Sequence, residues 1–220
     1  MTVFLWAGIG YAAGTFPAAF LAAVATGKRM VLAMVRRNVG EFDAHVMLKA
    51  SAGRSATLAA ILDVLKGFIP VVIAIRFAGP YEIAACAVGT VVGHCWPVYL
   101  YAYAGRGLAA AAGAFLGFLP AEMVFAGIVR VVGARLKAGG LASTLGYAAI
   151  PLVAWWRGQP AAYVLAAVAI NVLIFVRRLE GISEDLALGV TMSRAVVRRI
   201  VLDASAHSEE RGESTPTPIN

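Results

Sequence analysis

Charge is scarce in this chain, and that scarcity closes most routes to a soluble function. Asp, Glu, Lys and Arg make up 14% of its 220 residues, against 60% apolar, where a soluble domain is about a quarter charged and about half apolar. Mean hydropathy is +0.79. The apolar excess forms a series of long runs, the pattern of a polytopic, all-α membrane protein. Alternating ten-residue strands are absent, which argues against a β-barrel. The two cysteines, Cys86 and Cys95, share one apolar run and lack CxxC or Cys/His spacing, so neither a disulfide framework nor a zinc site fits. Net charge is +7, but no basic run interleaved with aromatics marks a nucleic-acid surface. The Lys and Arg residues therefore read first as topology markers. No internal repeat supports an inverted-repeat transporter. The opening "MTVFLWAGIGYAAG" lacks the positive region of a cleaved signal and reads as a retained first span.

The apolar runs, read against their breakers, give Val3 to Ala25, Ala56 to Ala78, Tyr81 to Ala104, Leu108 to Val132, Leu141 to Trp156 and Ala161 to Val176. A basic segment, Thr26 to Ser55, separates the first two. Pro120 divides the fourth run, so the region 108–135 makes either one kinked crossing or two short ones. Two crossings place every Lys and Arg of the chain on or opening toward the cytoplasm, except Arg76 and Arg157. Charge therefore favours seven helices, N-terminus out and C-terminus in, over residues 1–181. Beyond them, Leu186, Val190, Val197 and Val201 recur at helical spacing, with Arg194, Arg198 and Arg199 largely off that stripe. An amphipathic interfacial helix over 182–202 is expected, then a disordered polar tail over 203–220.

Ionisable residues within a membrane are costly and often functional. Asp63 and Lys66 lie three apart on one helix face, and His94 of the third run reaches a similar depth. Either the three carry chemistry, or Asp63 and Lys66 neutralise each other while His94 bonds a nearby carbonyl. Pro17, in Gly14-Thr15-Phe16-Pro17, puts a breaker in the first span, while Pro97 sits within the third, which reads as one helix whose bundle packing it shapes. Gly105-Arg106-Gly107 lies where one span gives way to the next. Glycines admit an anion close to the backbone, free N–H groups of the next helix point at it, and arginine adds a bidentate donor. The alternative is an ordinary basic anchor in a short loop. In the first loop, Arg36, Arg37, Asn38 and Gly40 make a second plausible anion-binding turn, or simply a solvated basic segment.

In order and spacing these features resemble the acyl-phosphate:glycerol-3-phosphate acyltransferases of bacterial phospholipid synthesis, the PlsY type. That family carries G-S-x-P in its first span, matched by Gly14 to Pro17. It has D-x-x-K-G in the second, matched by Asp63, Lys66 and Gly67. In the third it has G-H-x-x-P followed by G-G-K-G, matched by Gly93, His94, Pro97 and Ala104 to Gly107. Its first-loop motif S-G-N-x-G-x-T-N falls on Arg36 to Asp43, keeping Asn38 and Gly40. The family's T-R-Y-V-S-L is reduced to "LKAGGLAS", with Lys137 and Ser143. Its R-H-x-x-N is absent, with Phe175 at the asparagine; Arg178 and Leu179 persist, with Gly181 and Glu184 as further candidates.

The resemblance implies an enzyme of the bacterial inner membrane that moves a fatty acyl group from acyl phosphate to glycerol 3-phosphate, without cofactor or metal. It implies that Gly105, Arg106 and Gly107 hold one phosphate, Arg36, Arg37, Asn38 and Gly40 a second, and that Lys137 and Ser143 contact glycerol phosphate. Asp63, Lys66, Pro17 and Pro97 would organise the bundle, with His94 a candidate for a direct catalytic part. The altered motifs leave two rivals: a diverged lipid- or partner-binding protein on the same scaffold, and a small transporter using Asp63, Lys66 and His94 as a relay.

Overall fold

Where proline and glycine interrupt the apolar runs, helices begin and end. The computed structural model describes residues 1–27, 53–98, 105–136, 138–180, 182–187, 189–197 and 199, and among them there is no strand. The first run is two helices, α1 (Thr2–Gly14) and α2 (Ala18–Ala25), broken at Pro17 as expected. Proline has no N–H for the helix ladder and crowds the residues before it. α3 (Gly53–Phe77) follows, then the Ala78-Gly79 turn and α4 (Pro80–Cys95), with Pro80 at the first helical position where its missing donor costs nothing. Next come α5 (Leu108–Phe118), α6 (Pro120–Arg135), α7 (Gly139–Trp156) and α8 (Ala161–Leu179). Two short helices close the set, α9 (Ile182–Ala187) and α10 (Met192–Val197).

Thr2–Ala25, Gly53–Phe77 and Ala161–Leu179 are long and apolar enough to cross a membrane by length and composition. Large apolar side chains such as Leu5, Ile69 and Leu165 face outward along them, as lipid-facing surfaces do.

Two expectations are corrected. The run Tyr81 to Ala104 is not one helix: α4 stops at Cys95, and Trp96 turns to φ −135°, ψ 68°, because Pro97 disfavours helix at the residue before it. The expected single helix over 182–202 is divided between α9 and α10, with Gly189 at φ 81°, a left-handed conformation that no helix interior accommodates.

The ambiguous region 108–135 reverses at Leu119. Tyr147 of α7 bonds the Leu108 carbonyl at the start of α5. Glu122, at the start of α6, meets Arg157 just past the end of α7, and Arg130 near the end of α6 meets Ser143 near the start of α7. α5 and α6 are therefore antiparallel. The rings of Phe115, Phe118, Tyr147 and Tyr163 lock α5, α7 and α8 together at centroid separations of 5.2 to 6.0 Å.

Lipid offers no hydrophobic gain for helix association, so close backbone packing supplies it. α1 and α4 meet along Gly10 and Gly14 on one side and Gly89 and Gly93 on the other. A Cβ built on any of the four would overlap a carbonyl oxygen of the facing helix, namely that of Cys86, Thr90, Ala7 or Tyr11. α3 and α5 meet in the same way at Gly67, against the Ala110 carbonyl, and at Gly113, against that of Val64.

Candidate functional site

The break at Pro17 supplies the first element of the site. It turns the Phe16 carbonyl away from regular helix, and the Lys66 amine donates to it at 2.9 Å. The same amine lies 2.7 Å from Asp63 Oδ1. Asp63 is buried, and His94 Nδ1 stands 3.4 Å from that oxygen. This length and alignment make an electrostatic contact rather than a formed hydrogen bond, and the nitrogen has no hydrogen-bond partner. Asp63, Lys66 and His94 thus form the cluster expected from the sequence, with a backbone carbonyl as an additional partner. Gly67 and Gly93, beside them in the two motifs, are helix-contact glycines. Pro97 is buried just past the end of α4.

Gly105 and His94 are neighbours in space. Eleven residues of continuous helix would separate them by roughly 16 Å, but the chain folds back and the Gly105 N–H donates to the His94 carbonyl at 3.3 Å. A side chain at Gly105 would strike the imidazole at Nε2. Gly107 follows at φ 86° and caps α5, its carbonyl accepting from the Ala111 N–H at 2.8 Å. The next N–H groups, of Leu108 to Ala110, have no intrahelical acceptor, as in any first turn. Arg106 is half-buried at this mouth. The turn and the acid–amine–imidazole cluster are one site, with His94 at their junction.

The end of α8 closes the site from the other side. Buried Arg177 donates from Nε to the Gly105 carbonyl at 3.1 Å and pairs through Nη1 with Glu180. Trp96 Nε1 donates to the other Glu180 oxygen at 2.7 Å. Tyr11 of α1 donates its hydroxyl to the Trp96 carbonyl and accepts from the Val98 N–H, both at 3.0 Å. Arg178 Nη1 donates to Thr144 Oγ1 at 2.7 Å. Ser143 is buried, accepting from Arg130 Nη1 and donating to the Gly139 carbonyl, both at 2.8 Å. No group of three or more metal-ligating side chains occurs among the described residues. Arg36, Arg37, Asn38, Gly40 and Lys137 lie outside the described residues.

Sequence reasoning missed Arg177, Glu180, Trp96 and Tyr11. It also missed Glu122, fully buried at the far end of the bundle, where Arg157 Nη1 and Gln159 Nε2 donate to it at 2.9 and 3.4 Å. An apolar recess of about 640 Å³ runs between α1, α4 and α8, lined by Tyr11, Ala85, Val88, Gly89, Ala166 and their neighbours.

The family model described as "Glycerol-3-phosphate acyltransferase" matches residues 4–187. A glycerol-3-phosphate acyltransferase of Rubrobacter xylanophilus is 34% identical over 174 residues, covering 78% of this chain and 85% of its own. One of Nitrobacter winogradskyi is 32% identical over 176 residues, covering 79% and 87%. Two crystal structures of PlsY (YgiH), an integral membrane glycerol 3-phosphate acyltransferase, share the fold. The glycerol 3-phosphate form has a TM-score of 0.71 at 26% identity, covering 86% of this chain and 94% of that one. The lysophosphatidic acid form has 0.70 at 23%, covering 89% and 99%.

Proposed function

The chain belongs to the glycerol-3-phosphate acyltransferase family, and from that premise we infer that it acylates glycerol 3-phosphate at the site around Gly105 to Gly107, with acyl phosphate as donor. It is a helical membrane acyltransferase; we place it in the bacterial inner membrane with seven crossings, N-terminus out. The observation that carries the reading is the glycine turn with Arg106 opening α5 directly above His94. The turn sets an arginine beside the first-turn N–H groups of α5, residue types suited to a phosphate.

Acyl phosphate is already activated, so orientation and charge stabilisation can supply much of the catalysis. The 1-hydroxyl of glycerol 3-phosphate attacks the acyl carbonyl carbon, the bond from that carbon to the phosphate oxygen breaks, and inorganic phosphate leaves with lysophosphatidic acid as product. Arg106, with Gly105 and Gly107, holds one phosphate. Arg36, Arg37, Asn38 and Gly40 are assigned the second, and Lys137 and Ser143 contact the glycerol phosphate. The alkyl tail needs an apolar slot, which the recess beside Tyr11 supplies. The Asp63–Lys66 pair with His94 organises the floor, and His94 is the candidate for a direct role.

The test is purified protein in lipid given glycerol 3-phosphate with palmitoyl phosphate, palmitoyl-CoA or palmitoyl carrier protein. Lysophosphatidic acid is expected from acyl phosphate alone. Arg106→Ala should lower kcat/KM about 100-fold, with Arg106→Lys recovering most of it. Equal turnover of the thioesters would refute the donor, and a wild-type rate in Arg106→Ala would refute the turn.

A further inference from the structure

The Gly105–Gly107 turn lies between two helix ends, and something has to hold it at a fixed height and angle. Arg177 is the buried cation that reaches its backbone: Nε is committed to the Gly105 carbonyl and Nη1 to Glu180. A buried guanidinium is tolerable only when paired, and the Glu180 carboxylate neutralises it. That carboxylate is itself held, through Oε1, by the Trp96 indole N–H. The Arg199 guanidinium donates to the Glu180 backbone carbonyl. Trp96 is the residue at which α4 stops, and Tyr11 pins its carbonyl from α1. One continuous chain of hydrogen bonds therefore runs from Tyr11 through Trp96, Glu180 and Arg177 to Gly105, and Gly105 returns it to the His94 carbonyl. Every link has a named partner at each end.

We propose that Arg177, braced by Glu180 and Trp96, is a positioning clamp. It fixes the Gly105 carbonyl so that Arg106 and the first-turn N–H groups of α5 stay aimed at the substrate phosphate. Its charge is spent on Glu180, so it acts through the turn rather than on the substrate. The clamp also gives a purpose to the end of α8. The position where the family resemblance expects an asparagine carries Phe175, and Arg177, two residues on, reaches the turn from the same helix. The proposal rests on the phosphate-binding reading of the turn.

The experiment compares Arg177→Met, Arg177→Lys, Trp96→Phe and the double variant Arg177→Met/Trp96→Phe with wild type, in lipid nanodiscs. Arg177→Met should raise KM for one of the two phosphorylated substrates about ten-fold while kcat falls much less, since an aim is lost rather than a reacting group. Arg177→Lys should restore part of that loss. The double variant should be no worse than Arg177→Met, because both lie on one chain of contacts. Trypsin supplies a readout that needs no activity: cleavage after Arg106, mapped by mass spectrometry, should quicken several-fold in Arg177→Met. If Arg177→Met does not fold, Trp96→Phe, which keeps the ring and removes the donor, carries both measurements. Unchanged KM values with unchanged cleavage in a folded variant would overturn the clamp, as would simple additivity of the two substitutions. A wild-type protein that makes no lysophosphatidic acid would refute the acyltransferase reading, and cleavage after Arg106 would still decide the clamp.

Discussion

At the scale of single residues, the centre of the molecule is a buried carboxylate shared by an amine and an imidazole. Asp63 is held by Lys66 at 2.7 Å and faced by His94 at 3.4 Å. Removing one partner of a buried ion pair strands the other charge, which costs about 3–5 kcal/mol, whereas replacing both by apolar residues of similar size is often nearly neutral. Lys66→Met should therefore lower the thermal midpoint in detergent sharply, and Asp63→Leu/Lys66→Met should recover much of the loss; a double variant as unstable as the single would contradict this. The three side chains were legible in the sequence because charge inside an apolar run is conspicuous. Their fourth partner was not, because the Phe16 carbonyl becomes available only once the Pro17 break is packed against α3. Arg177 escaped notice for the opposite reason. A basic pair at the end of a span is what positive-inside topology predicts, and nothing in its spacing shows one member turning inward to a backbone carbonyl.

Among the helices, the glycine seam between α1 and α4 sets how closely everything else can meet. Gly14 approaches Thr90 so closely that a Cβ would overlap its carbonyl oxygen, while Gly8, six residues earlier on the same helix, has nothing within 4 Å. Gly14→Val should force the helices apart, shift His94 one turn above Thr90, and cost both stability and activity. Gly8→Ala should leave thermal unfolding unchanged or gain up to about 1 kcal/mol from helix propensity. Thermal unfolding and turnover of the two variants, side by side, measure this, and equal effects would refute the seam. Element boundaries were readable where proline sits, at Pro17, Pro80 and Pro120. The end of α4 was not read, since the apolar run continues without a break past Pro97 and only the backbone shows the helix stopping at Cys95. That stop is what lets Gly105 fold back onto His94.

For the whole molecule, the helix directions place Tyr81, at the start of α4, and Leu136, just past α6, at opposite ends of the bundle, both exposed. The native thiols Cys86 and Cys95 are buried, so single cysteines added at these two positions can be labelled without interference. In right-side-out vesicles an impermeant maleimide should reach Tyr81→Cys and not Leu136→Cys, and the reverse pattern would invert the proposed topology.

The shortness of α5 has one more consequence. Eleven residues of helix span about 16 Å, roughly half the ~30 Å of hydrocarbon in a bilayer. α6, which returns antiparallel from Leu119, has sixteen residues and so runs roughly 8 Å past the start of α5. The end of α6, at Arg135, therefore rises beside the turn of Gly105 to Gly107. In the proposed reaction the bare length of α6 makes a wall on one side of the phosphate, so glycerol 3-phosphate would approach the turn along the flank that α6 leaves open.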